Sequence, residues 1–176
     1  MHLLGLIVLA ALALSQPAQA QSPYAGMQNR PIKTLSDSQV ADLEAGRGMG
    51  LALAAELNGY PGPSHVLELA DKLGLSAEQK NRVQQLFDSM KLEAVPLGTM
   101  LLAQETALDK AFASHSITTE SLKSAIEQIG VTQAALRNAH LKYHLQTVQI
   151  LSADQTKRYS SLRGYDSEVP AHRHQH

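Results

Sequence analysis

Two long apolar seams separated by a short polar turn constrain the fold of this chain more than any other feature. Each seam repeats at steps of three and four residues, the period of helices that pack lengthwise on one another. The first consists of Val83, Phe87, Met90, Ala94, Leu97, Leu101, Gln104, Leu108 and Ala111. The second consists of Leu122, Ile126, Ile129, Gln133, Leu136, His140, Tyr143, Thr147 and Ile150. Together they predict an all-α fold built on a long antiparallel helical hairpin.

Shorter helices are expected to flank this hairpin, and glycine and proline mark their ends. We expect a kink, not a break, at Pro96, because the first seam keeps its phase across it. Three small residues four apart, Gly46, Gly50 and Ala54, would share one face of the first helix, unless that helix is frayed there. The predicted helices run over 37–57, 64–73, 77–113, 119–150 and 153–163.

The first twenty residues predict export. An apolar run over 3–14 precedes Ala18-Gln19-Ala20, which has the small-x-small pattern of a signal-peptidase site. The run is about half of the roughly 20 residues that a spanning helix needs. Cleavage after Ala20 would leave a mobile arm over 21–34, a helical domain over 35–164 and a disordered tail over 165–176.

Composition narrows the function classes. The chain has no cysteine and a formal net charge of −1. The absence of cysteine excludes thiol catalysis and thiolate metal sites. The net charge near zero gives no reason to expect a nucleic acid partner. No catalytic motif is present in the sequence, which therefore favours a binding protein over an enzyme.

One motif, L-S-x-x-Q, occurs three times. Its local physics is a capping box, in which the serine oxygen accepts from the N–H three residues on and the glutamine reaches back to the serine N–H. The leucine before the serine can act as a hydrophobic staple. The copies are Leu35, Ser36 and Gln39; Leu75, Ser76 and Gln79; and Leu151, Ser152 and Gln155.

These motifs, in a small exported helical chain, resemble those of the Spy/CpxP family over 35–164. The resemblance implies a curved helical homodimer in the bacterial periplasm. It also implies an ATP-independent chaperone for unfolded or misfolded envelope proteins, or a stress modulator that binds a membrane sensor protein. Under this hypothesis Leu97, Met100 and Leu101, beside the expected kink, are candidates for client contact. The chain lacks the basic excess of the Spy-type chaperones, which weakens a charge-driven mode of binding.

The histidines support an alternative, a heavy-metal sensor or binder for Zn(II), Ni(II) or Cu(II). His140 and His144 are one helical turn apart, a spacing that can chelate a divalent cation, although the sequence favours a structural role for them. The resemblance supports the alternative too, since metal-sensing relatives place histidines shortly before the last motif. His65 and Met49 are candidate further ligands. The tail histidines can bind such metals weakly; they are His172, His174 and His176.

A homodimer built on the two long helices is also expected, because the second of them has two apolar stripes. Leu141, Leu145 and Val148 lie roughly 120–180° round the helix from Leu136. A single antiparallel partner covers only one stripe of a helix. A second copy of the chain would cover the other stripe, unless the short helices do so.

Overall fold

A computed structural model describes residues 22–166, and the predicted signal peptide and the tail histidines lie outside the described residues. Within this range the chain is helical and contains no strand, which confirms the predicted fold class. A short 3-10 helix covers Met27–Asn29. The α-helices are α1 Asp37–Glu44, α2 Leu53–Glu56, α3 Pro63–Glu68, α4 Ala70–Leu73, α5 Ala77–Ala113, α6 Thr119–Val148 and α7 Ala153–Arg163.

The long helices α5 and α6 form the predicted hairpin. Pro96 lies inside α5, which continues as one helix on both sides of it. Ala94 and Leu101 of α5 share a buried cluster with Ile129 and Leu136 of α6. Burial of these apolar side chains is the main force that holds the two helices together.

Polar side chains connect the same two helices. Lys142 Nζ donates to Glu93 Oε1 over 2.8 Å, and Tyr143 Oη donates to that oxygen over 2.7 Å. These two hydrogen bonds lower the pKa of Glu93, against a smaller opposing effect of burial. Burial and the bond to Glu93 raise the pKa of Tyr143 to about 12. The carboxylate therefore stays charged, and the phenol keeps its proton.

The second seam departs from the prediction near the turn. Ile126 is 51% exposed and Gln133 is exposed, whereas Thr132 is buried. A straight α-helix has 3.6 residues per turn, so it drifts by about 20° per heptad from a 3.5-residue pattern. The drift brings Thr132 into the interface in place of Gln133.

The first predicted helix is wrong between 45 and 52. The chain leaves the helix after Glu44 because Gly46, Met49 and Gly50 have φ angles of 64°, 44° and 80°. Such left-handed conformations cannot continue an α-helix. The proposed stripe of small residues on one helix face therefore does not exist.

Close helix approach is achieved elsewhere, at Gly98 of α5. A Cβ atom at Gly98 would overlap the carbonyl group of Leu43, at the end of α1. Glycine lets α1 cross α5 at backbone contact. The small residue that permits the crossing thus lies on the long helix, and not on the first one.

The predicted second helix is two short helices, α3 and α4, which meet at Leu69. The backbone of Leu69 leaves the helical region (φ −102°, ψ 10°), and Gly74 then ends α4 with φ 63°. A second buried cluster holds this part of the molecule together and joins it to α7. It consists of Val66, Leu73, Val83, Leu151 and Tyr159.

The predicted arm over 21–34 ends against the hairpin. Ile32 is 8% exposed, Lys33 Nζ is 2.8 Å from Asp109 Oδ2, and Thr34 Oγ1 donates to Glu105 Oε2 over 3.2 Å. The last residues of the arm therefore have defined partners on α5.

Replacing Gln104 with leucine is expected to stabilise the protein. Gln104 Oε1 is buried in the hairpin without a hydrogen-bond partner among the described residues. An unpaired buried carbonyl costs about 1–3 kcal/mol, and leucine would add apolar contact in the seam. We expect the free energy of unfolding in urea to rise by about 1 kcal/mol. The exposed Gln133, changed to leucine, is the matched control and should alter it by less than about 0.5 kcal/mol. A loss of stability in the Gln104 variant would mean that the amide has a partner.

Candidate functional site

The three L-S-x-x-Q motifs all form complete capping boxes, as the sequence predicts. In each, the serine Oγ accepts from the glutamine N–H and the glutamine Oε1 accepts from the serine N–H. They begin α1, α5 and α7. A fourth box begins α6. It is formed by Thr118 and Ser121, which do not fit the L-S-x-x-Q pattern.

Two of the three motifs also bind each other. Gln79 Nε2 donates to Gln155 Oε1 over 2.8 Å, and Gln155 Nε2 donates to Gln79 Oε1 over 3.0 Å. The second proton of each amide goes to the backbone before the other motif. Gln79 Nε2 donates to Ile150 O over 2.9 Å, and Gln155 Nε2 donates to Gly74 O over 3.4 Å. We call this nearly symmetric arrangement the glutamine clasp. It ties the start of α5 to the start of α7.

The three residues predicted to contact clients differ in how far they are exposed to solvent. Leu101 is 6% exposed and belongs to the buried cluster of the hairpin, and Leu97 packs against that cluster. Of the three, Met100, which is 52% exposed, presents the most apolar surface to solvent, and Leu97 is partly buried. The seam spacing of Leu97 and Leu101 already assigned them to the interface with α6.

The exposed apolar surface beside Pro96 is instead a stripe at four-residue spacing. Leu92 is 78% exposed, Met100 is 52% exposed, and Pro96 between them is also exposed. Residues four apart lie on one face of a helix, and eight residues of helix span about 12 Å. We call Leu92, Pro96 and Met100 the α5 stripe.

The histidines singled out from the sequence are brought together. His65, His140 and His144 line one cavity of about 510 Å³, together with Met49. The walls come from the turn over 45–50, from α2 and α3, and from the facing sides of α5 and α6. Helix α6 places both of its histidines there because they are one turn apart. The tail histidines lie outside the described residues.

The two histidines of α6 have different surroundings. His140 is 3% exposed, and its Nε2 is buried without a hydrogen-bond partner in the part of the chain that the structure describes. Burial, and secondarily the nearby His144, lower the pKa of His140, so its ring is neutral at pH 7. His144 Nδ1 donates to the carbonyl oxygen of Tyr60 over 2.6 Å. Among the described residues, His140 Nε2 therefore has no hydrogen-bond partner, whereas His144 Nδ1 is bonded to Tyr60.

A buried carboxylate, Glu56, is the centre of the polar network and was missed from the sequence. It accepts from Tyr159 Oη, from Tyr165 Oη over 3.0 Å, and from the Gly62 N–H over 3.2 Å. Arg163 Nε is 3.7 Å from Glu56 Oε1. Tyr165, assigned to the tail by the sequence, is therefore part of the domain. Glu56 connects α2 and the segment 61–63, through the Gly62 N–H, to α7.

Two histidines face the same carboxylate. Nδ1 of His65 is 3.6 Å from Glu56 Oε1, and Nδ1 of His144 is 3.8 Å from Glu56 Oε2. Burial alone would raise the pKa of Glu56, but the nearby imidazole of His65 and the hydrogen bonds from Tyr159 and Tyr165 together outweigh it and lower this pKa to about 2. Glu56 is thus a permanently charged, fully engaged acceptor at neutral pH.

The arrangement does not fit a metal ion as it stands. Among residues 22–166, no three His, Asp or Glu side chains are grouped to hold one. The bond to Tyr60 uses His144 Nδ1 and leaves Nε2 as the possible metal ligand. A Cβ atom at Gly62 would lie 2.7 Å from this Nε2, so the backbone of Gly62 leaves little room for a metal ion beside it. A chelate by His140 and His144 would require His144 to change partners.

No described helix combines the length and apolar character needed to cross a membrane. Comparisons of the chain with protein-family models, with curated proteins and with solved structures found no match.

Proposed function

We propose that this protein is an exported, non-enzymatic binding protein of the Spy/CpxP type, which holds unfolded envelope proteins without ATP in the periplasm. The observation that carries the proposal is the α5 stripe. Leu92 and Met100 expose apolar side chains on a long helix that is fixed along its length by α6. A rigid apolar stripe can bind apolar segments of unfolded chains at little cost in conformational entropy.

The glutamine clasp supports the same proposal. It gives two of the repeated motifs a common structural role, which a chance recurrence of helix caps would not require. The resemblance to Spy/CpxP proteins rests on these motifs, and their pairing makes the resemblance more coherent. The clasp also holds α7 against the start of α5.

Changing Leu92 and Met100 together to glutamate is expected to abolish most protection of a denatured protein from aggregation. The mature wild-type chain should suppress light scattering at equimolar ratio without ATP, and the double variant at least about fivefold less. Phe112 and Ile126, each 51% exposed near the other end of the hairpin, provide the matched control when both become glutamate. Equal protection by wild type and both variants would mean that the α5 stripe does not bind the denatured protein.

The metal-sensing alternative rests on a separate observation, that His65, His140 and His144 line one cavity, and it requires His144 to leave its bond to Tyr60. It predicts stoichiometric Zn(II), Ni(II) or Cu(II) binding by a mature chain in which the tail histidines are alanine. That binding should vanish when His140 and His144 also become alanine. If the tail substitutions alone abolish binding, the helix pair is structural.

We further propose that the protein is a homodimer through α6. Leu145 is 52% exposed, and Leu141 and Val148 are partly exposed beside it. Changing Leu141 and Leu145 to glutamate should convert a dimer into a helical monomer, since charges on an apolar interface are not readily desolvated. Sedimentation equilibrium at micromolar concentration measures this, with circular dichroism as the check of folding. A single-chain mass for the wild type would contradict the proposal.

A further inference from the structure

The cavity beside α6 has a mainly apolar wall. Its volume, about 510 Å³, lies within the range of about 300–1,000 Å³ that is typical of sites for small molecules. Phe87 and Met90 of α5 line it, and so do Met49 and Leu53. Met49 is 37% exposed and Leu53 is 52% exposed, so the apolar wall continues to the solvent. An apolar molecule can therefore enter from this side.

The polar side chains inside the cavity offer little to a ligand. The carboxylate of Glu56 is already occupied by three hydrogen bonds. Nδ1 of His144 is bonded to the carbonyl oxygen of Tyr60. His140 is almost wholly buried, and its Nε2 is out of a ligand's reach. The part of a ligand that lies inside is therefore apolar.

Lys91 places a positive charge at the rim of this cavity. Its Nζ lies 5.8 Å from the centre of the Phe87 ring, and it forms no ion pair with any described residue. Arg47, by contrast, is paired with Asp42 over 2.5 Å. Glu68 also lines the cavity and opposes the charge of Lys91 without pairing with it. A cation that borders an apolar wall favours a ligand with one anionic end.

We propose that this cavity binds a free fatty acid, with its alkyl chain along the apolar wall and its carboxylate beside Lys91. A lysine has an apolar stem and a charged end, so it matches the boundary between the two parts of such a ligand. Met90 is 6% exposed and belongs to the inner wall, which a chain held in a bilayer would not reach. The proposal is independent of client binding, since the α5 stripe is no part of the cavity wall.

Methionine methyl groups allow the binding to be located by NMR. Met49 and Met90 line the cavity, whereas Met27 and Met100 do not. The probe is monomeric decanoate, added to the full mature chain with isotope-labelled methionine methyl groups. We expect it to shift the first two signals saturably, at one decanoate per chain, and to leave the other two in place.

Chain length tests the burial of the alkyl chain without any variant. Each buried CH₂ group strengthens binding about fourfold, so two of them change it by about fifteenfold. Dodecanoate should bind more tightly than decanoate by this factor, and octanoate more weakly.

Lys91→Met removes the charge and keeps most of the apolar stem. We expect it to weaken decanoate binding by about threefold to fivefold, the effect of one exposed ion pair, and to leave the binding of decanol unchanged. Lys110→Met is the matched control, because Lys110 is exposed on the same helix and does not line the cavity.

Met49→Asp tests the apolar wall with little risk to folding. Met49 has a φ angle of 44°, a left-handed conformation that aspartate adopts more readily than methionine. A carboxylate at this place should weaken decanoate binding at least about tenfold, read from the Met90 signal. Met100→Asp is the control, since Met100 does not line the cavity, and it should bind as wild type does.

Several results would overturn the proposal. Decanoate might fail to shift the Met49 and Met90 signals below its micelle concentration, or octanoate and dodecanoate might bind equally well. Undiminished decanoate binding by Lys91→Met or by Met49→Asp would count equally against it. Binding to vesicles of phosphatidylglycerol without binding of dissolved decanoate would assign the surface to a bilayer instead.

Discussion

Replacing Glu56 with alanine is expected to lower the free energy of unfolding by about 4 kcal/mol at pH 7. The change would leave the hydroxyl groups of Tyr159 and Tyr165 and the N–H of Gly62 without their acceptor. Removing one member of a buried charged network costs about 3–5 kcal/mol, because the remaining members stay desolvated. The effect is large because this single carboxylate joins α2 to α7.

Urea unfolding of the mature chain, followed by circular dichroism, measures the loss. Glu68→Ala is the matched control, since Glu68 is an exposed glutamate on the neighbouring helix α3 and should cost less than about 0.5 kcal/mol. Comparable losses in the two variants would show that the buried network contributes nothing specific.

Acid should remove the same contribution from the wild type. The pKa of Glu56 is lowered from 4.5 to about 2 in the folded protein, so the folded state binds this proton less readily than the unfolded chain does. The contribution is therefore complete above pH 4.5 and is lost as the pH falls towards 2. At 1.36 kcal/mol per pKa unit it amounts to about 3 kcal/mol. Glu56→Gln should flatten this part of the pH profile, and an unchanged profile would refute the assignment.

Replacing Gln79 with glutamate is expected to cost about 2 kcal/mol. Glutamate preserves the capping box, since its carboxylate accepts the Ser76 N–H as well as the amide does. It cannot donate to Gln155 Oε1 or to Ile150 O, and instead directs negative charge at both oxygens. Two lost hydrogen bonds and this repulsion account for the expected loss.

The third copy of the motif supplies the control. Gln39 makes the same capping box but has no clasp partner among residues 22–166, so Gln39→Glu should leave the free energy of unfolding within about 0.5 kcal/mol of the wild type. Gln155→Glu should behave like Gln79→Glu. Their double variant should cost more than the sum of the two, because it places two carboxylates face to face without the remaining amide donor that each single variant keeps. Equal effects of glutamate at 39 and 79 would mean that the clasp does not stabilise the fold.

Local patterns in the sequence predicted most of the helices. The seams located α5 and α6 because apolar periodicity reports directly on a buried face. The capping boxes located the starts of α1, α5 and α7 because each box is complete within four residues. Gly74 and Gly164 ended their helices for a similarly local reason, the left-handed backbone that glycine adopts at low cost.

Long-range contacts were beyond what the sequence could predict. Glu56 lies 103 residues before Tyr159 and 109 before Tyr165. Its apolar neighbours in the sequence do not identify it as the acceptor of a buried network. The break after Glu44 was misjudged because glycines in an alanine- and leucine-rich stretch look like tolerated helix residues until their backbone angles are known. The histidine pair was found from its i, i+4 spacing, but the hydrogen bond that commits His144 to Tyr60 involves a different segment.

Binding of unfolded proteins by the α5 stripe can be followed residue by residue in an NMR titration of the isotope-labelled mature chain. A permanently unfolded client, made by reducing and carboxymethylating a disulfide protein, would be added without ATP. We expect saturable changes in the backbone signals that centre on 92–100 of α5. Unchanged spectra at a large excess of client, or changes confined to residues away from this helix, would contradict it.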